Sequence, residues 1–221
     1  MGSESDSNGF SVQMKTAVSE QWQRLVDHKF TIELADGTID SEVLKKYLIQ
    51  DHRFLDSFVV LLASMVASCR TLEDRIPGCQ FLALITGKEN TYFERSFEKL
   101  GCSNPQERLA IPNDTCTTNF IELMQTVAKN GSLGEKLAVL CVCEWSYLSW
   151  AEVKDVKTND KLHTEWIDLH RGEYFESVVN DLRGLMDKEG LIISESEREI
   201  CKQRFREAVQ LEEDFFDNAY A

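Results

Sequence analysis

The sequence predicts an all-α protein, a multi-helix bundle of the size of one domain, and three observations carry that prediction. Apolar residues recur at helical rather than alternating spacing along most of the 221 residues. Only 3 prolines and 11 glycines interrupt them, too few for the many turns of an all-β chain. No Gly/Ser/Pro-rich linker, low-complexity block or internal repeat divides the chain, which is long enough to bury one sizeable core. Residues 1–9 read as a disordered tail and 10–221 as a single helical domain.

The elements follow in order. A first helix is expected from about Val12 to His28, where Val18, Trp22, Leu25 and Val26 form an apolar stripe. The Asp36-Gly37 turn leads to Asp40 or Ser41 as N-cap of a long helix that reaches Cys69. Two shorter helices are expected near 78–86 and 88–100. The stretch GCSNPQERLAIPND, with two of the three prolines, is the clearest loop. A helix over 114–130 stops at Asn130-Gly131, and Ser132 opens the segment LAVLCVCEWSYLSWAEV. Past the polar VKTND stretch, helical spacing resumes near His163 and continues, with a break at Gly172, to about Lys188. Ser194 and Glu197 have the S-x-x-E form in which each side chain caps the other's amide, so a last helix runs from there to Asn218. About eight helices and no strand result.

Composition excludes several function classes. A net charge of -14 opposes binding to nucleic acid or to an anionic membrane, both of which need a concentrated basic face. The longest apolar runs, FVVLLASMVAS and LAVLCVC, fall short of the ~20 residues that span a bilayer, and the first ten residues lack an apolar signal core. A cytoplasmic protein is therefore expected. Seven cysteines without paired spacing do not suggest a disulfide framework, and Cys141 and Cys143 would lie about 200° apart on a helix, so they cannot clamp one metal. Paired E-x-x-H motifs, H-E-x-x-H, a P-loop and a G-x-S-x-G elbow are all missing, and no metal site is expected.

What remains are polar groups in apolar places. Asp51 shares a helical stripe with Tyr47, Phe54, Phe58 and Leu61, and a carboxylate there is expensive to bury without a partner. It could sit at the edge of the stripe beside Arg53 or a lysine, or it could hold a ligand. Glu212 interrupts the face formed by Phe205, Val209, Phe216 and Ala219, whereas Glu213 and Asp214 read as solvated charge. In CEWSYLSW, Cys143, Tyr147 and Trp150 fall at i, i+4 and i+7 and line one face. His163, Trp166 and His170 share another, although lone histidines on such faces are most often core or boundary residues. Acids, a thiol and aromatic rings directed inward from four helices are the usual make-up of a small-molecule pocket with acid–base capacity.

Four of these segments, YLIQDHRFL, CEWSY, HTEWI and LEEDFFDNAY, together with the early HKFTIELADGTID, resemble in order and spacing the motifs of the TenA family of aminopyrimidine hydrolases, also called thiaminase II. The likeness runs from about Phe10 to Tyr220. It implies the haem oxygenase-like all-α fold, a homodimer or homotetramer, no cofactor, and conversion of aminomethylpyrimidine and its formylated form to hydroxymethylpyrimidine for thiamin salvage. It implies that Asp51 anchors the pyrimidine, that Glu212 moves the proton at the leaving group, and that Tyr147 and Cys143 stand at the family's tyrosine and nucleophile positions. Phe54, His163 and Phe120 complete the expected binding set. Phe54 and His163 stand where family members often carry tyrosine, and Val142 replaces a proline. Glu144 makes the chain similar to the subgroup, common in plants, archaea and fungi, in which a glutamate takes over from the cysteine, and the chain also resembles the plant seed maturation proteins of the family. In that mechanism Glu144 activates water and Cys143 only packs. Two rival readings are a non-catalytic pyrimidine-binding or regulatory protein and a haem protein with His28 as axial ligand.

Overall fold

Twelve α-helices and one π-helical turn, with no strand, make up the regular structure of the described residues. The structure is a computed structural model that describes residues 9–221, so the tail expected over 1–9 lies outside the described residues except for Gly9. The single helix expected over 12–28 is two, α1 (Phe10–Ala17) and α2 (Ser19–Val26). Val18 leaves the helical region at φ -123°, and its carbonyl accepts the first bond of the second helix from the Trp22 amide at 2.8 Å. His28 then caps a short helix that was not expected, α3 (Lys29–Asp36), by accepting from the Phe30 amide. Gly37, at φ 73°, ends it in the left-handed conformation that glycine adopts at little cost.

Asp40 caps α4 (Ser41–Ser68), which ends one residue before the expected Cys69, itself the C-cap. The next helix begins earlier than expected. In α5 (Leu72–Leu84) Thr71 accepts from the Asp74 amide, and Pro77 lies within the helix at the cost of one backbone bond. A π turn (Ile85–Glu89) joins it to α6 (Asn90–Lys99). The expected loop carries a six-residue helix, α7 (Pro105–Ala110), with proline in its first turn, where the missing amide costs nothing. Then come α8 (Thr115–Asn130), α9 (Leu133–Val153), α10 (Lys161–Leu169), α11 (Glu173–Gly190) and α12 (Glu195–Asn218). Both predicted serine caps are complete reciprocal boxes, Ser132 with Glu135 and Ser194 with Glu197.

The core is organised around α9, whose residues from Lys136 to Leu148 are all buried. Helices α4, α8, α11 and α12 pack round it, and α2 covers its far end. A helix wrapped on every side has no polar face, so polar residues on it must be satisfied inside the protein. That condition makes Cys143, Glu144 and Tyr147 informative. No helix among the described residues is long and apolar enough to cross a membrane.

Candidate active site

Beside the middle of α9 lies a narrow pocket with about 420 Å³ of empty space. Helix α4 contributes Asp51, Phe54, Leu55 and Phe58, one helical face in sequence order. Cys143, Glu144 and Tyr147 come from α9, Glu212 from α12, Trp166 from α10, His170 from its C-cap, and Ile85 and Glu89 from the π turn. Residues far apart in the chain thus meet because α4 and α12 pack on α9 and on each other, while Trp166 reaches in from α10 to meet Tyr47 and Tyr147 edge-on.

Six of the eight residues singled out in the sequence line this pocket: Asp51, Phe54, Cys143, Glu144, Tyr147 and Glu212. Phe120 and His163 do not. Phe120 is fully buried on α8 and packs behind Phe54, ring centroids 5.4 Å apart. His163 is buried one helical turn away from Trp166, and its Nδ1 has no partner. The seven-residue step from His163 along the same face reaches His170, which does line the pocket. Glu89 gave no sequence signal, because ITGKENT reads as a polar surface stretch.

Burial governs the electrostatics. Asp51 is 5% exposed, and its pKa is pushed well above the usual carboxylate range by desolvation and then by Glu89 and Glu212, against a hydrogen bond from Tyr47 that favours the anion. It does not pair with Arg53, whose guanidinium instead donates to Asn113 Oδ1 at 2.9 Å and to the carbonyls of Arg108 and Ile111. Glu144 is raised by burial and then by Glu89, Glu212 and Asp51. Burial raises Glu212 to about 8, although the Cys143 thiol donates a hydrogen bond to it. Its Oε2 is buried without a partner. Glu89, half-buried, is raised to about 7.

The same burial, with Glu212 and Glu144 nearby, lifts Cys143 well above its ordinary value, so the sulfur is held as a thiol and not as the nucleophilic thiolate. The phenols of Tyr47 and Tyr147 share a 2.5 Å hydrogen bond, which links Asp51 on α4 to the α9 wall through Tyr47. His170 Nδ1 lies 2.8 Å from the Trp166 carbonyl, so that nitrogen carries the proton and Nε2 is left as an acceptor. Burial lowers its pKa to about 4, which keeps the ring neutral. Carboxyl groups poised near neutrality can donate or accept protons at physiological pH. Phe54, Phe58, Tyr147 and Trp166 give such a site flat walls.

His28 cannot serve as a haem ligand as it stands. Its Nδ1 accepts from the Phe30 amide at 3.1 Å and its Nε2 lies 3.0 Å from Asp217, which occupies both ring nitrogens, and it is outside the pocket.

A helical bundle that closes acids, a thiol and aromatic rings round one narrow pocket defines a small-molecule-binding protein with acid–base capacity. Comparison with known proteins narrows the class. The model of the TENA/THI-4/PQQC family matches residues 15–221, and the chain belongs to that family. A relative from Halalkalibacterium halodurans named aminopyrimidine aminohydrolase is 24% identical over 202 residues, 90% of each chain. One of the same name from Bacillus subtilis is 24% identical over 212 residues, 96% of this chain and 89% of the relative. A solved TenA homologue from Pyrococcus furiosus superposes with a TM-score of 0.85 at 25% identity, covering 96% of this chain and 100% of that one.

Proposed function

We propose that this chain is an aminopyrimidine aminohydrolase that cleaves the amine from aminomethylpyrimidine and releases hydroxymethylpyrimidine and ammonia. The observation that carries the reading is the meeting of Asp51 and Glu212, from helices more than 150 residues apart in the chain, in one aromatic-walled pocket with Glu144 between them in sequence. Family membership and the names of the relatives agree with it.

The roles follow from the chemistry of each group. Asp51, fixed by Tyr47, accepts a hydrogen bond from the ring's exocyclic amine. Phe54, Phe58 and Trp166 hold the ring flat. Glu212, with an oxygen free of protein partners and a pKa near 8, gives a proton to the departing nitrogen. The C–N bond breaks with its electron pair on nitrogen, and ammonia leaves. Glu144, ionised beside the cationic substrate, removes a proton from the water whose oxygen bonds to the carbon. Cys143, held as a thiol, hydrogen-bonds Glu212 and is not the nucleophile. The reading includes the formylated substrate, a homodimer or homotetramer, and a cytoplasmic location. The deciding experiment is ammonia release from aminomethylpyrimidine; tight binding of hydroxymethylpyrimidine with no ammonia release would make the protein a binder and not an enzyme.

A further inference from the structure

Four carboxyl groups line the pocket, Asp51, Glu89, Glu144 and Glu212, and no lysine or arginine does. Its one basic side chain, His170, is neutral. Glu212, 1% exposed, presents Oε2 without a partner. Acids gathered in this way are costly to bury, and a cation that enters relieves the cost. The charge is not focused on one point: no group of three or more His, Cys, Asp or Glu among the described residues is arranged to hold a metal ion. Acids that ionise as a cation enters, spread round aromatic walls, suit an organic cation, with the apolar part on the rings and the charged part among the carboxyls.

Glu89 stands apart from the other three acids. It ends a π turn, a widened and rare backbone element that recurs at functional sites, inserted between α5 and α6. The turn sends two side chains into the pocket, Ile85 and Glu89. Among the charged neighbours of both Asp51 and Glu144, Glu89 acts most strongly, which places it electrostatically between the ring anchor and the α9 wall. With Asp51 assigned to the ring's exocyclic amine, Glu89 is left to act through its charge.

We propose that Glu89 is a specificity-determining residue: with Glu144 it selects substrates whose side arm is a protonated amine over neutral arms of similar shape. The inference rests on the aminopyrimidine reading above. An aminomethyl arm enters as an ammonium at neutral pH and passes its extra proton to Glu212, which returns it to the departing nitrogen, whereas the hydroxymethyl arm of the product and a formylamino arm are neutral. The same acids that draw the amine in therefore hold the neutral product weakly, which favours its release.

The test is steady-state kinetics on the full chain at pH 7, with KM and kcat for aminomethylpyrimidine and the inhibition constant of hydroxymethylpyrimidine. In the wild type the amine should be held about tenfold or more tightly than the neutral product. Glu89→Gln should raise KM for the amine about tenfold, change kcat by less than about threefold, and leave the inhibition constant unmoved; Glu89→Asp, which keeps the charge, should recover most of the loss. Equal weakening of both ligands would show a merely structural residue and overturn the proposal. So would a KM indifferent to Glu89, or a wild type that binds the two alike. A wild type that releases no ammonia overturns the hydrolase reading itself, a result distinct from ammonia release with no charge preference.

Discussion

Two buried glutamates on consecutive helices show how differently one fold can treat the same side chain. Glu189, near the end of α11, is 3% exposed, and Glu212, on α12, is 1% exposed. Arg70 lays its guanidinium against Glu189 with contacts of 2.5 and 3.0 Å, one to each oxygen, and so ties the α4–α5 turn to α11. Glu212 has only the Cys143 thiol on one side, and its other oxygen has nothing. Burial is nearly equal, so burial does not distinguish structure from function here. Partners do: the chain completes Glu189 by itself, while it leaves one oxygen of Glu212 without a partner.

The largest expected effect breaks or upholds that contrast directly. Glu212→Gln should lower turnover by about 10²- to 10⁴-fold, the usual loss of a general acid, with an unchanged circular dichroism spectrum. Glu189→Gln should leave turnover within about threefold and lower stability by ~1 kcal/mol, because Arg70 is half exposed and keeps its water. Activity loss in the second variant and none in the first would reverse the assignment.

A second pair of variants sharpens it within the pocket. Glu144→Gln should reduce turnover about 100-fold and Cys143→Ser less than about tenfold. The opposite order would move the reacting role to the sulfur, through substrate-induced ionisation of a thiol that its neighbours now suppress.

The pH dependence of stability comes next. The Glu212 carboxyl ionises near 4.5 in an unfolded chain and near 8 in the folded one, so between those values the folded state keeps a proton that the unfolded state releases. Its stabilising contribution is complete below about 4.5 and is lost as pH rises through about 8. Glu89, raised to about 7, acts in the same direction. Thermal melts from pH 5 to 9 should show a falling Tm, with a shallower fall in Glu212→Gln. An unchanged slope in that variant would contradict the account. The smallest effect belongs to Tyr47→Phe, which removes the bond to Tyr147 and a hydrogen bond to Asp51. It should cost ~1 kcal/mol and raise KM a few-fold.

Much of this arrangement is legible in the sequence, and the parts that are not have physical reasons. The reciprocal caps at Ser132 and Ser194 and the Asp40 cap fix three long helices, and those helices set the phase that turns Asp51, Glu144 and Glu212 inward. Short elements escape because they rest on tertiary packing and not on periodicity: α3 and α7 are about two turns long, and the break at Val18 leaves the apolar stripe continuous. Glu89 escapes because a π turn shifts the helical phase at that point. His163 and His170 lie on one face, and periodicity alone does not say which end of a face meets a pocket formed by other helices.

The central claim is most directly tested by a crystal structure of the complex with hydroxymethylpyrimidine. The ring should lie between Phe54 and Trp166 with its exocyclic amine on Asp51 and its side arm toward Glu212, whose Oε2 gains its missing hydrogen bond. A ring bound elsewhere, or bound here with that oxygen still unpartnered, would contradict it.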